Sequence, residues 1–142
     1  DETELDAIAD ALQRSDFDAL IVSNTTLARN NLVSNNSAEA GGLSGAPLFQ
    51  RSTIVLAKMR QRLATNFPLI GVGGISNTET ALSKIEAGAS LIQMYTGLIY
   101  GGPGLPGKII TGLGKTLDAE NADSIQTFVG RKAKQWADLS LS

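Results

Sequence analysis

An α/β fold with a parallel sheet covered by helices is the class this sequence predicts. Three observations carry the prediction. Stretches of helical period alternate with short apolar runs, in the order α-β-α-β-α-β-α-α. The short runs are near-continuously apolar, as strands buried on both faces are. Polar and glycine-rich residues collect after those runs, and in parallel α/β folds these positions share the ligand-binding face. Two architectures satisfy the pattern, a doubly wound sheet and a (β/α)8 barrel, and three strands cannot close a barrel by themselves. An open three-stranded parallel sheet leaves two edges unprotected. The chain therefore reads as a piece of a longer fold, or as one that pairs with a partner supplying the missing strands. Its opening, "DETELD", lacks Met and reads as the interior of a longer sequence.

Each element has its own signal. Asp1 to Gln13 is expected to be helical, with Leu5, Ile8, Ala9 and Leu12 on one face. Asp1 with Glu4 fits a capping box, and the acidic first turn suits the helix dipole. Ala19 to Val22 forms the first strand, ending in the polar "SNTT". Leu27 to Ala40, with four Asn and two Ser among fourteen residues, reads as a mobile loop. Its Asn-Asn-Ser sequon means little without a secretory context. "GGLSGAPLF" follows, and Ser52 is expected to start a helix with Val55, Leu56, Met59 and Leu63 as its apolar stripe. Leu69 to Val72 is the second strand. Ser76 and Glu79 form a second expected capping box, before a helix with Ala81, Leu82 and Ile85 inward and Gly88 at its end. "SLIQMY" is the third strand, and "TGLIYGGPGLPG" reads as a loop. Helical segments are expected near Pro106 to Leu117, Ala122 to Val129 and Arg131 to Leu139, the last with Ala133, Trp136 and Leu139 on one face.

Composition narrows the chemistry. Among 142 residues there are 12 Lys and Arg against 14 Asp and Glu, a net charge of −2 with no basic cluster, which gives no reason to expect nucleic acid. The absence of Cys removes disulfides and a thiolate nucleophile. The absence of His removes a Ser-His-Asp triad and the common zinc ligand sets, so no metal is expected. Acid–base chemistry is left to carboxylates, Lys, Tyr, hydroxyls or a group outside the chain. No apolar run approaches the roughly 20 residues of a membrane helix.

The candidate site residues follow the strands: Ser23-Asn24-Thr25-Thr26 after the first, Gly73-Gly74 after the second, Tyr95-Thr96-Gly97 after the third. "GVGG" before a helix is either a tight turn or a set of free backbone N–H groups for an anion. In barrels the loops after the last two strands often hold a phosphate, which would place one at Gly74 and Tyr95-Thr96. "SNTT" either bonds its own backbone or presents an amide to a polar planar ligand. Gly45 is either a flexible turn or a place where a ring or phosphate lies against the main chain. Tyr95 has a plain alternative as a core aromatic, Trp136 reads as packing, and Lys108 and Lys115 read as solvated helix charges.

Taken in order, "DALIVSNTTLAR", "EAGGLSGAPLF" and "PLIGVGGISNTETALSKIEAGASLIQMYTGLIYGGPGL" closely resemble the C-terminal half of class 2, quinone-dependent dihydroorotate dehydrogenase. The resemblance runs from Asp1 to about Leu117 and weakens in the tail. It implies the C-terminal part, about strands six to eight, of a (β/α)8 TIM barrel, incomplete on its own. Residues 1–142 would belong to one FMN-binding domain, with 118–142 as its helical tail. The implied reaction is FMN-dependent oxidation of dihydroorotate to orotate in pyrimidine synthesis, with quinone as acceptor. By motif, Ser23, Gly45, Gly74, Tyr95 and Thr96 resemble FMN-binding positions, the last two at the phosphate; many relatives carry Ser at Thr96, which keeps the hydroxyl. Asn24 and Thr25 resemble the pair that binds the substrate's polar edge. The resemblance implies no catalytic base in this chain, because the family's Ser base lies in the N-terminal half, with the quinone-contacting helices. The complete enzyme would sit peripherally at a bacterial or mitochondrial inner membrane. A non-catalytic half-barrel that folds or oligomerises without turnover is the alternative, and a different flavin or nucleotide-phosphate barrel is a third reading.

Overall fold

A computed structural model describes residues 1–29 and 32–141; Asn30 and Asn31 of the polar stretch and the final Ser142 lie outside the described residues. Three parallel strands, β1 (Leu20–Val22), β2 (Leu69–Val72) and β3 (Leu91–Gln93), form one sheet in the order β1-β2-β3. Helix α1 (Glu2–Gln13) precedes the sheet, α2 (Phe49–Arg62) joins β1 to β2, and α3 (Thr78–Ala87) joins β2 to β3. After β3 come α4 (Thr96–Gly101), α5 (Leu105–Glu120) and α6 (Ala133–Ala137), with 3-10 turns at Ala46–Leu48 and Ile125–Phe128. Among the described residues no helix is long and apolar enough to cross a membrane.

The period-2 alternation of the strands sorts their side chains between two faces. Val22 and Leu69 are buried on the helix-covered face, where they meet Leu5, Ala9 and Leu12 of α1 and Leu56, Met59 and Leu63 at α2. Full burial of a side chain such as Leu69 is worth about 1.5–3 kcal/mol. Gly71 lets α2 and α3 close on β2: a Cβ there would lie 3.0 Å from Ala89 Cβ and 3.2 Å from Leu56 Cδ2. Among the described residues nothing covers the opposite face. Ile21, Ile70 and Leu91 pair in register across it, and Ile21 is 54% and Leu91 61% exposed. A second apolar cluster of Ile75, Ala81, Leu105 and Ile109 holds α5 against α3.

Several local expectations are corrected. The Asp1–Glu4 capping box forms, yet Ile8 is exposed and only Leu5, Ala9 and Leu12 turn inward. Helix α2 begins at Phe49, not Ser52; the Ser52 side chain is buried instead of capping. The box at α3 uses Asn77 and Thr80, not Ser76 and Glu79: Thr80 N–H donates to Asn77 Oδ1 (2.8 Å), and Thr80 Oγ1 accepts from the N–H groups of Ser76 (3.0 Å) and Asn77 (3.1 Å). A threonine hydroxyl one position later reaches the same donors at a shorter lever arm than Glu79 would. The stretch after β3 is not all loop, since Thr96–Gly101 closes into α4. The tail is less helical than its period suggests: Ser124 caps a 3-10 turn, and α6 spans only Ala133–Ala137. Its inward residues are Ala133 and Ala137, with Leu139 exposed and Trp136 packed edge-on against Phe49, ring centroids 6.0 Å apart. The tail is tied to α3 through buried Glu86, whose carboxylate accepts from Arg131 (2.6 Å) and Lys132 (2.9 Å). Lys108 and Lys115 are exposed, as expected.

Candidate functional site at the strand ends

The loops that leave the three strands enclose a cleft of about 180 Å³. Ser23, Asn24 and Thr25 enter it from β1, Gly73 and Gly74 from β2, and Tyr95 and Thr96 from β3. Ser44 and Gly45 join from "GGLSG". Every position that the resemblance marks for cofactor or substrate therefore lines one cavity, while Thr26 lies outside it. Two devices bring the distant segment in. Thr26 and Leu43 exchange backbone hydrogen bonds (3.1 and 2.7 Å), which closes the base of the polar loop beside "SNTT". Arg29 folds the loop over by donating to the carbonyls of Thr26, Ala28, Glu39 and Gly41. Thr96 Oγ1 then donates to Ser44 Oγ at 3.0 Å, joining the loop after β3 to the same segment.

The glycines serve packing more directly than ligand approach. Gly73 and Gly74 have φ of 102° and 73°, where a side chain is disfavoured. A Cβ on Gly73 would lie 2.8 Å from Ser52 Oγ and 3.0 Å from Leu48 Cδ2. One on Gly74 would lie 2.5 Å from Phe49 Cα and 2.7 Å from Phe49 N. Both missing side chains point at the first turn of α2. At Gly45, φ 81°, the missing Cβ faces Thr96 Cγ2 at 3.1 Å, not the open cavity. The anion-binding capacity lies in the main chain itself: the N–H groups of Gly74, Tyr95, Thr96 and Gly97 have no protein acceptor among the described residues. The start of α3 contributes less, because Ser76, Asn77 and Thr80 N–H are already taken by its capping box.

Asn24 Oδ1 accepts from Thr25 N–H (2.8 Å), and its amide nitrogen has no protein acceptor among the described residues. Tyr95 is 78% exposed, so its reading as a core aromatic is overturned. The Val22–Ser23 peptide bond is cis. The cavity lining carries hydroxyls, amides and main-chain donors but no carboxylate, amine, guanidinium, imidazole or thiol. It is equipped to bind and orient. A wider cavity of about 720 Å³ opens beside it and shares Gly45, Gly74 and Thr96. No group of three or more metal-ligating side chains occurs among the described residues.

Residues 1–117 match the family profile described as dihydroorotate dehydrogenase. The chain belongs to the dihydroorotate dehydrogenase family. Proteins named dihydroorotate dehydrogenase (quinone) from Brucella ovis and Brucella melitensis are each 56% identical to it over 141 residues, covering 99% of this chain and 39% of theirs. The chain thus spans about two-fifths of the length of the curated relatives it matches. Crystal structures of dihydroorotate dehydrogenase from Eimeria tenella, one ligand-free and one with ferulenol, superpose with a TM-score of 0.87 at 34% identity. They cover 93% of this chain, which matches 37% and 35% of theirs. The three parallel strands are accordingly a segment of a (β/α)8 barrel that does not close by itself.

Two polar lining residues are not among the positions that the sequence singles out. Ser44 sits one place before Gly45 and anchors Thr96. Gln93 lies on the same side of β3 as Leu91, and the alternation of "SLIQMY" carries that signal.

Proposed function

We propose that this chain is the C-terminal part of an FMN-dependent dihydroorotate dehydrogenase that converts dihydroorotate to orotate for pyrimidine synthesis and delivers electrons to a quinone. One observation carries the reading: the positions that the family resemblance marks for cofactor and substrate all line the cleft at the strand ends. Residues 1–142 belong to one barrel domain, with 118–142 as its helical tail. The quinone meets the region that precedes these residues, and the complete enzyme sits peripherally at an inner membrane.

The residues present fit FMN. The free N–H groups of Gly74, Tyr95 and Thr96 form a neutral donor set suited to a phosphoryl group. Ser23 and Gly45 offer main chain along the same wall. Bound FMN supplies the two-electron oxidation. Asn24 and Thr25 hold the polar edge of dihydroorotate, the amide giving donor and acceptor in one plane. Oxidation to orotate also releases two protons. With no carboxylate, amine or imidazole in the lining, the base that takes the substrate proton comes from the remainder of the barrel.

The full-length protein is expected to purify yellow and to reduce a quinone when given dihydroorotate; colourless protein that stays inactive with added FMN overturns the reading. Asn24→Ala in that protein is expected to lower kcat/KM by about tenfold to a hundredfold, the loss of one or two substrate hydrogen bonds, with flavin content unchanged. If flavin and substrate affinity fall together, Asn24 acts by turning the loop through Thr25 and not by touching substrate.

A further inference from the structure

Lys84 of α3 is wholly buried, and the chemistry above makes no use of it. Its Nζ donates to Ser52 Oγ at 2.6 Å and lies 5.4 Å from the centroid of the Phe49 ring. Ser52 is equally buried; its hydroxyl is 2.8 Å from Leu48 O, 3.2 Å from Phe49 O and 3.3 Å from Gly73 O. The ammonium therefore stands one hydroxyl behind the Gly73–Gly74 turn and the first turn of α2. Among the described residues no carboxylate pairs with it. Glu86, two residues further along α3, is committed to Arg131 and Lys132 of the tail. On α2, Arg60 donates to the carbonyls of Leu63, Ala64 and Phe67 at the helix's far end, and Arg51 donates to Leu141 O. The strand face toward Lys84 is apolar, Gly71 bringing it against the lysine stem.

An uncompensated buried cation is costly, and an apolar side chain of equal length would fill the volume without that cost. Burial pushes the Lys84 amine down to about 7. The cleft in front of it holds unpartnered N–H groups and no cationic side chain. A phosphate monoester there would be the missing counter-charge.

We propose that Lys84 is a positioning residue for the phosphate end of the cleft: through Ser52 it holds the Gly73–Gly74 turn against α2 and sets a positive charge behind a bound phosphoryl group. The inference rests on the FMN reading above and adds to it how a neutral donor set retains a dianion. Two linked consequences follow. Phosphate binding favours the charged amine, so it takes up a proton above neutral pH. Without ligand the buried charge opposes folding. Its folded value of about 7 lies below the ordinary 10.5, so the unfolded chain binds more protons between those values. The penalty is full below pH 7 and is relieved as pH rises across that window.

The test compares FMN with riboflavin, which lacks only the phosphate, on apo full-length protein between pH 7 and 9, where a phosphate monoester is already doubly ionised. Wild-type protein is expected to prefer FMN, and the preference to shrink as pH rises. Lys84→Met is expected to weaken FMN about tenfold, to leave riboflavin within about twofold, and to flatten the pH profile. Its apo thermal stability should be equal or higher, most visibly below pH 7. Ser52→Ala is expected to show the same selectivity and, combined with Lys84→Met, to add little; it carries the test if the Met variant does not fold. Equal losses for both flavins, no loss, or an unaltered pH profile overturns the proposal and leaves Lys84 a packing residue. Wild-type protein that binds both flavins equally overturns the phosphate reading itself, and this inference with it.

Discussion

Gly74→Val in the full-length protein is expected to abolish folding, not merely to strip cofactor. Valine at φ 73° costs about 1–2 kcal/mol from the left-handed backbone alone. The larger effect is steric. The new Cβ would lie 2.5 Å from Phe49 Cα and 2.7 Å from Phe49 N, and main chain cannot swing aside as a side chain can. Phe49 starts α2, and its ring packs against Trp136 of α6 and beside the Lys84 ammonium. Relief would require α2 to slide, which disrupts the core shared by α1, α2 and β2. Overpacking typically costs about 1–3 kcal/mol and more against backbone, so the sum, about 2–5 kcal/mol at the least, reaches the lower end of the 5–15 kcal/mol that keeps a domain folded. Gly74→Ala shares the same Cβ and is expected to lower the unfolding midpoint in the same direction, since the γ-methyls are not the cause. Thermal unfolding and flavin content measured on both variants separate the effects. An alanine variant that melts like wild type but has lost its flavin would show that the glycine serves the ligand and not α2.

The reason for Gly74 is a fair measure of what the sequence discloses. "GVGG" after an apolar run shows that a strand ends and that the main chain there is special. It does not show where the missing Cβ would have pointed, because that depends on how α2 returns from a loop more than twenty residues upstream. Membership of the cleft was easier to read. In a parallel sheet every strand delivers its carboxyl end to the same edge, so the order of "SNTT", "GVGG" and "YTG" along the chain is enough to put Asn24, Gly74 and Thr96 together. Lys84 illustrates a signal passed over. It lies three residues after Ala81 and one before Ile85, both buried as expected while Leu82 is only half-buried, and a lysine on such a stripe announces a buried amine. What it meets there, Ser52 thirty-two residues upstream, is a tertiary fact. The cap of α3 failed for a local reason: Ser76-Asn77 followed by Glu79-Thr80 offers two overlapping boxes, and only the backbone turn after Gly74 selects the second.

A polypeptide of residues 1–142 by itself is expected to form no orotate, even with FMN, dihydroorotate and a quinone supplied. The cleft has binding groups and no base among its lining side chains. The sheet that backs it is open at β1 and β3, and unpaired strand edges invite association. Its uncovered face carries Ile21 and Leu91, and beside it β3 and α5 border an apolar groove of about 340 Å³ that includes Ile92, Met94, Ile109 and Ile110. Such a surface on a free polypeptide seeks cover. Sedimentation should therefore find oligomers or aggregates, and absorbance should find no stably bound flavin. Supplying the preceding part of the barrel in trans is expected to restore flavin binding and turnover, provided the two pieces meet before this one associates with itself. Stable, colourless oligomers that ignore the added piece would favour a non-catalytic half-barrel. Orotate formation by the purified polypeptide, with intact-mass measurement showing no second chain, would place a base within these residues. The search would then turn to Tyr95 at the cleft, Lys108, and the loop carboxylates, none of which the present geometry sets against a substrate proton.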